Sequence, residues 1–224
     1  MNNNRIHLVF VNLMVALSCL ASLTPIAIAQ SQPITSPEKF FGFPMGADRK
    51  LARWDKLVEY YKLLAQQSTR IKVVDLGPTT MGNPFLVLFI SSPANLARLE
   101  QFREMNAKLS DPRGVSEAEI NRLIAEGKAV IVQSMGLHSS EVAASQMAAE
   151  LTYDLVRRTD DEAVRMMDNV ISILIPCFNP DGEILVTDWY NKYVGTEYEA
   201  VNLPVLYHKY IGHDTNRDAF QTNM

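Results

Sequence analysis

"AVIVQSMGLHSSEVAASQMAAELTYDLVRRTDDEAVRMMDNVISILIPC", residues 129–177, decides the fold. It opens on one apolar run (129–136) and closes on another (170–177). Between them, from about residue 140 to 158, apolar side chains recur at helical spacing. A strand, a helix and a second strand imply a right-handed parallel crossover. Both runs are almost wholly apolar, as expected of central strands whose two faces are covered by helices.

Upstream, "IKVVDLG" (71–77) and "PFLVLFISS" (84–92) are β-rich and separated by "PTTMGN", whose Pro, Gly and Asn favour a turn. They read as an antiparallel hairpin. The expected fold class is therefore α/β, with a mixed, mostly parallel sheet flanked by helices. In "LARWDKLVEYYKLLAQQS" (51–68), Leu51, Trp54, Leu57, Val58, Tyr61, Leu64 and Ala65 mark one face of an amphipathic helix. Residues 93–127 read as two helices broken at "SDPRG", with Ser116 capping the second and Glu119 completing a capping box. Residues 30–46 read as an extended lead-in, and everything after Cys177 as polar, aromatic and loop-like.

The chain begins "MNNNRIHLVFVNLMVALSCLASLTPIAIA", one arginine before a long apolar run that closes on an Ala-x-Ala pattern. This is the form of a secretory signal peptide, residues 1–29, and implies export to a periplasmic or extracellular space. The run is long enough to span a bilayer if left uncleaved, which is the one way this chain would meet a membrane. Cys19 is a poor lipoprotein site, because Ala16 stands where a lipobox places Leu. Cleavage leaves 20 basic residues against 25 acidic ones, a net charge of −5. That balance, with Lys and Arg scattered, argues against nucleic-acid binding. Only Cys177 remains, so the mature chain has no internal disulfide. About 195 residues suffice for one domain with a proper core.

Ligands of open α/β sheets sit at the carboxyl ends of parallel strands. His138 and Glu141 follow the first run there, and Asn179, Pro180, Asp181 and Gly182 follow the second. Zinc takes a neutral imidazole nitrogen and a carboxylate, and catalytic sites use three protein ligands plus water. His138 and Glu141 supply two. Each motif alone has a plain structural reading: a loop histidine beside a helix-start glutamate, a turn at Asn-Pro-Asp-Gly, and a solvated loop at "HDTNRD" (213–218).

Together and in this order, "GLHSSE", "NPDG" and "HDTNRD" resemble the front half of a zinc carboxypeptidase domain of the carboxypeptidase A type, over roughly residues 50–220. The resemblance implies hydrolysis of C-terminal peptide bonds with Zn2+ as cofactor and a peptide or protein with a free C-terminal carboxylate as partner. It implies that His138 and Glu141 bind the metal and that Asp214 orients His138 from behind. It implies that Asn216 and Arg217 hold the substrate's terminal carboxylate, a task suited to arginine's planar fork. Asn-Pro-Asp-Gly is implied to be a structural turn. Two departures stand beside these matches. No arginine lies between residues 183 and 216 to stabilise an oxyanion, and Lys192 is the nearest cation. The family's third zinc ligand and general-base glutamate lie beyond the Asn-Arg motif, and the sequence ends at Met224. His208 and His213 are the local histidines left to substitute. Residues 47–224 are thus expected to be the N-terminal part of the catalytic domain, inactive alone. The alternative is a non-catalytic fragment or a carboxylate-binding module.

Overall fold

The computed structural model describes residues 33–218, so the signal-peptide expectation at residues 1–29 lies outside the described residues. Four strands, β1 (Ile71–Pro78), β2 (Pro84–Ile90), β3 (Ala129–Ser134) and β4 (Val170–Ile175), form one sheet in the order β1-β2-β4-β3. β1 and β2 are an antiparallel hairpin with Ile71 opposite Ile90. β4 joins β2 antiparallel, Leu174 opposite Leu88, and β3 joins β4 parallel, Ala129 beside Val170. The fold is α/β with a mixed sheet, and among the described strands the parallel share is the single pairing of the crossover.

Among the described residues there are eight α-helices: α1 (Pro37–Phe41), α2 (Trp54–Gln67), α3 (Pro93–Leu96), α4 (Leu99–Ser110), α5 (Glu117–Glu126), α6 (Ala143–Arg157), α7 (Asp161–Asn169) and α8 (Pro180–Tyr193). None is long and apolar enough to cross a membrane. Strand alternation divides the core. Leu86, Leu88 and Ile90 of β2 and Leu174 of β4 face Trp54, Leu57, Tyr61 and Leu64 of α2, all fully or almost fully buried, and Ala148 and Ala149 of α6. On the other face Phe89, Ile171 and Ile173 meet Phe102 and Met105 of α4 and Leu123 of α5. Ser116 caps α5 by accepting from the Glu119 N–H.

Four expectations need correction. The loop-like stretch after Cys177 contains α8. Asn179 caps it, accepting from the Gly182 N–H at 2.9 Å, and Pro180 occupies the first turn, where its missing N–H costs nothing. The lead-in contains the single turn α1, started by the Ser36 cap and Pro37. Residues 93–127 hold three helices rather than two, because Ser92 caps the short α3 ahead of α4. β3 is not covered on both faces. All six of its residues are exposed, with Val130, Ile131 and Val132 at 39%, 47% and 64%, and among the described strands only β4 pairs with it.

α8 also fastens the entry of α2, which lacks a side-chain cap from its own N-cap residue. The Trp54 N–H donates to Glu183 Oε2 at 2.8 Å, and the Gln146 amide exchanges two 2.8 Å hydrogen bonds with the Ala52 backbone. Arg53 meets Asp188 across the exposed rim, a pair of small energetic weight. Glu183 is 2% exposed, and burial pushes its carboxyl up from 4.5 to about 8 although Thr187 and the Trp54 N–H favour the anion.

Two outcomes follow from this architecture. A six-residue strand edge rich in Val and Ile, without charge or proline, is a template for pairing with other chains. The 224-residue chain by itself is expected to self-associate, and Val132→Lys to raise its monomer fraction in light scattering; an unaltered wild-type monomer would overturn this. The Glu183 carboxyl is protonated in both folded and unfolded chains below about pH 4.5 and only in the folded chain between there and about 8. The unfolded state therefore binds fewer protons in this window, and stability falls as pH rises through it. The loss is on the order of a few kcal/mol. Denaturant titrations from pH 4.5 to 8.5 should show this slope, and Glu183→Gln should flatten it.

Candidate metal centre

The parallel strands stay paired after they end. The Met135 N–H donates to the Ile175 carbonyl at 2.9 Å, the Phe178 N–H to Met135 at 2.6 Å, and the Asn179 N–H to Gly136 at 3.2 Å. Gly136 takes a left-handed turn, φ 65°, with the Cys177 sulfur 3.5 Å from where a Cβ would stand. This ladder fixes the loop at 137–141 against the start of α8. The Glu141 N–H then donates to the His138 carbonyl at 3.0 Å, a tight turn that folds the glutamate side chain back toward the imidazole.

His138 Nδ1 lies 3.3 Å from Glu141 Oε1, and Nε2 lies 3.0 Å from Asp214 Oδ1. Two ligands on a tetrahedral zinc at 2.0–2.1 Å stand about 3.3 Å apart, so the Nδ1–Oε1 gap matches one edge of such a site. Asp214, receiving Nε2–H, would leave the Nδ1 lone pair facing Glu141. The donor chemistry and spacing therefore fit zinc as far as two ligands go. Among the described residues no group of three His, Cys, Asp or Glu side chains could hold a metal ion. Burial disfavours the charged form of His138, but Glu141 and Asp214 outweigh it and raise the imidazole's pKa. Asp214 is held below its usual range, first by the Asn216 N–H and then by His138.

The same carboxylate caps the 3-10 turn Thr215–Arg217, accepting from the Asn216 N–H at 2.7 Å. Asn216 and Arg217 are thus carried next to His138 with exposed side chains, and Arg217 Nη1 donates to the Asn216 carbonyl at 3.0 Å. Thr215 Oγ1 donates to the Leu137 carbonyl at 3.3 Å, and the Tyr207 ring sets its edge against His138 at 6.2 Å between centroids. Lys192 is not brought here. It sits exposed in the last turn of α8, over the Tyr193 ring, roughly 18 Å along the axis from Pro180 at 1.5 Å per residue. His208 is buried against Tyr210, and His213 Nε2 faces Asp218 at 2.8 Å.

Asn-Pro-Asp-Gly does more than turn the chain. The buried Asp181 accepts from Thr79 Oγ1 at 2.5 Å, Asn83 Nδ2 at 2.7 Å and the Met81 N–H at 3.2 Å, fastening the hairpin tip to α8. Gly182 admits the loops that build the centre. A Cβ there would stand 2.3 Å from both Ser139 Oγ and the Tyr207 carbonyl oxygen. Asn-Pro ahead of an acidic first turn was the available signal, since it is also a helix start. The weak apolar periodicity of α8 and its early glycine hid it.

A model of the zinc carboxypeptidase family matches residues 57–223. No curated protein matches the chain. Among solved structures it is similar to a thrombin-activatable fibrinolysis inhibitor, at 9% identity and a TM-score of 0.46, over 68% of this chain and 29% of that one. It is also similar to a carboxypeptidase A from Helicoverpa armigera, at 20% identity and a TM-score of 0.43, over 61% of this chain and 26% of that one. A metallo-carboxypeptidase from Burkholderia cenocepacia gives 20% identity and a TM-score of 0.38, over 55% and 26%. The chain spans between a quarter and a third of the length of these structures.

Overpacking at the Gly182 contact predicts a specific failure. Gly182→Ala must move Ser139 or the Tyr207 backbone, at a cost of roughly 1–3 kcal/mol. Thermal unfolding should shift down, and the His138 ring resonances should move in NMR spectra. A variant with unchanged stability and unchanged His138 signals would show that the contact does not hold the loop.

Proposed function

Because the chain belongs to the zinc carboxypeptidase family, with more than half its length matched, we propose that it carries part of the active site of an exported metallocarboxypeptidase that removes residues from peptide C-termini. The observation that carries this reading is the 3.3 Å approach of His138 Nδ1 to Glu141 with Asp214 on the other ring nitrogen. His138 and Glu141 would hold Zn2+. Bound zinc would supply a water of lowered pKa and polarise the scissile carbonyl.

The chain's own residues divide the remaining work. Asp214 keeps His138 in the tautomer whose Nδ1 is a ligand, and its negative charge raises the basicity of the ring. Asn216 and Arg217 receive the terminal carboxylate, the guanidinium pairing both oxygens. Because Asp214 anchors both the imidazole and the 3-10 turn, holding the carboxylate aligns the peptide with the metal side of His138. Lys192, at the far end of α8, has no part in this proposal. The export assignment rests on the apolar leader and its Ala-x-Ala ending.

A second reading rests on Arg217, which the 3-10 turn carries beside His138 with an exposed side chain. On that reading the chain binds C-terminal carboxylates through Arg217 without hydrolysing the peptide. Cobalt titration separates the two. The metallopeptidase reading expects tetrahedral cobalt bands that vanish in His138→Ala, and Asp214→Asn to weaken metal binding about 10–100-fold. In a full metallopeptidase domain it also expects release of the last residue from a free peptide acid but not from its amide. Cobalt bound equally by wild type and His138→Ala would overturn it, and carboxylate binding without metal or release would establish the second reading.

A further inference from the structure

A cleft of about 720 Å³ lies between the segment 45–51, α6, α8 and the loop that follows α8, a volume typical of small-molecule sites. Ser140 and Val142, the neighbours of Glu141, reach its wall, but neither His138 nor Glu141 lines it. The Trp189 and Tyr190 rings and the Met45 and Met147 thioethers line it together, and Met147 is left 49% exposed. Aromatic rings and thioether sulfur both favour an aromatic partner. The Trp189 ring is already held in place, its Nε1–H donating to the Val201 carbonyl at 2.8 Å and its plane meeting Tyr193 edge to face at 4.6 Å. The charged lining residues, Asp48 and Glu150 against Arg49 and Lys50, balance, so the cleft selects for aromatic character rather than for charge.

Residues 195–203 run along one side of this cleft as a strap. Glu199 joins it to the 45–51 rim, Oε1 accepting from Arg49 Nε at 3.0 Å while Oε2 accepts from the Gly195 N–H at 2.8 Å. Arg49, φ 59°, and Ala200, φ 74°, are the two non-glycine residues with left-handed backbone among the described residues. One forms the latch and the other follows Glu199 directly. Left-handed backbone costs such a residue more than an exposed ion pair returns, and the Arg49 side chain is 60% exposed. The strap is therefore held closed against strain by weak contacts, a condition in which a bound ligand decides between closed and open. We propose that this cleft is a second ligand site, separate from the metal centre, that takes a compact uncharged aromatic molecule, and that residues 195–203 close over it through the Arg49–Glu199 latch. The site depends on neither zinc nor the peptidase reading.

The test uses the full chain and two neutral probes, fluoroindole and fluorocyclohexane, observed by fluorine NMR, with hydrogen exchange of the strap followed by mass spectrometry. Fluoroindole should bind saturably and roughly threefold or more tightly than fluorocyclohexane. It should also slow exchange of the Gly195, Tyr198, Glu199 and Val201 amides, which are hydrogen-bonded within the strap. Met147→Ala, at an exposed position, should weaken fluoroindole binding roughly threefold or more. Arg49→Ala should speed strap exchange and weaken the probe, whereas Ala200→Gly, which adopts the left-handed backbone without strain, should slow exchange. Absence of saturable binding, or binding untouched by Met147→Ala, would overturn the site. Strap exchange indifferent to both the probe and Arg49→Ala would overturn the closure.

Discussion

The hydrogen-bond ladder that continues past the ends of β3 and β4 is the constraint on which the centre depends. Parallel pairing places Ser134 beside Ile175, and the three backbone bonds beyond it place Gly136 against Asn179. From there the positions follow locally. The left-handed Gly136 directs the chain toward His138, and the Asn179 cap starts α8 in contact with Ser139, whose hydroxyl donates to the Asn179 carbonyl at 3.2 Å. A one-residue slip of β3 would reverse every side chain on it and separate the two loops. The apolar identity of β4, buried by contacts on both faces, is what specifies the register.

Strands and the hairpin were legible because their physics is local. Val, Ile, Leu and Phe in short runs between Pro, Gly and Asn leave few other conformations, and the 3-4-3 spacing of Trp54, Leu57, Tyr61 and Leu64 marks its helix directly. α7 and α8 were missed for opposite reasons. α7 is nine residues with a charged exterior and only Ala163 and Met167 buried. α8 carries Gly182 in its first turn and β-branched and aromatic residues after it, all unhelpful to a propensity reading. The exposure of β3 was illegible, since an apolar strand has the same sequence whether its faces are covered or not.

The site was legible only in part. His138 and Glu141 share a short segment, and a turn of the chain is enough to join them. Asp214 stands 76 residues later in sequence, and nothing local announces that it meets Nε2. The ordered motifs supplied that association through resemblance, and the geometry supplies its physical form. Asp181 and Gly182 are a different lesson. Their roles lie in what they touch, a hairpin tip about one hundred residues upstream in one case and the absence of a side chain in the other. A turn motif gives no hint of either.

Asp214 draws these threads together. A carboxylate between an imidazole N–H and a backbone N–H is satisfied on one oxygen by both donors, Oδ1 accepting from Asn216 at 2.7 Å and facing His138 Nε2 at 3.0 Å. The cost of losing either bond is then shared: turning the imidazole would leave Asp214 without its histidine, and unwinding the 3-10 turn would remove the carboxylate from behind the ring. Thr215, reaching the Leu137 carbonyl, and Tyr207, edge-on to His138, stiffen the same junction. A side chain partly exposed to water holds a fixed direction only when several weak contacts agree. Here Glu141 from one segment and Tyr207, Asp214 and Thr215 from another agree on the orientation of one imidazole, which is the arrangement the proposed metal ligand requires.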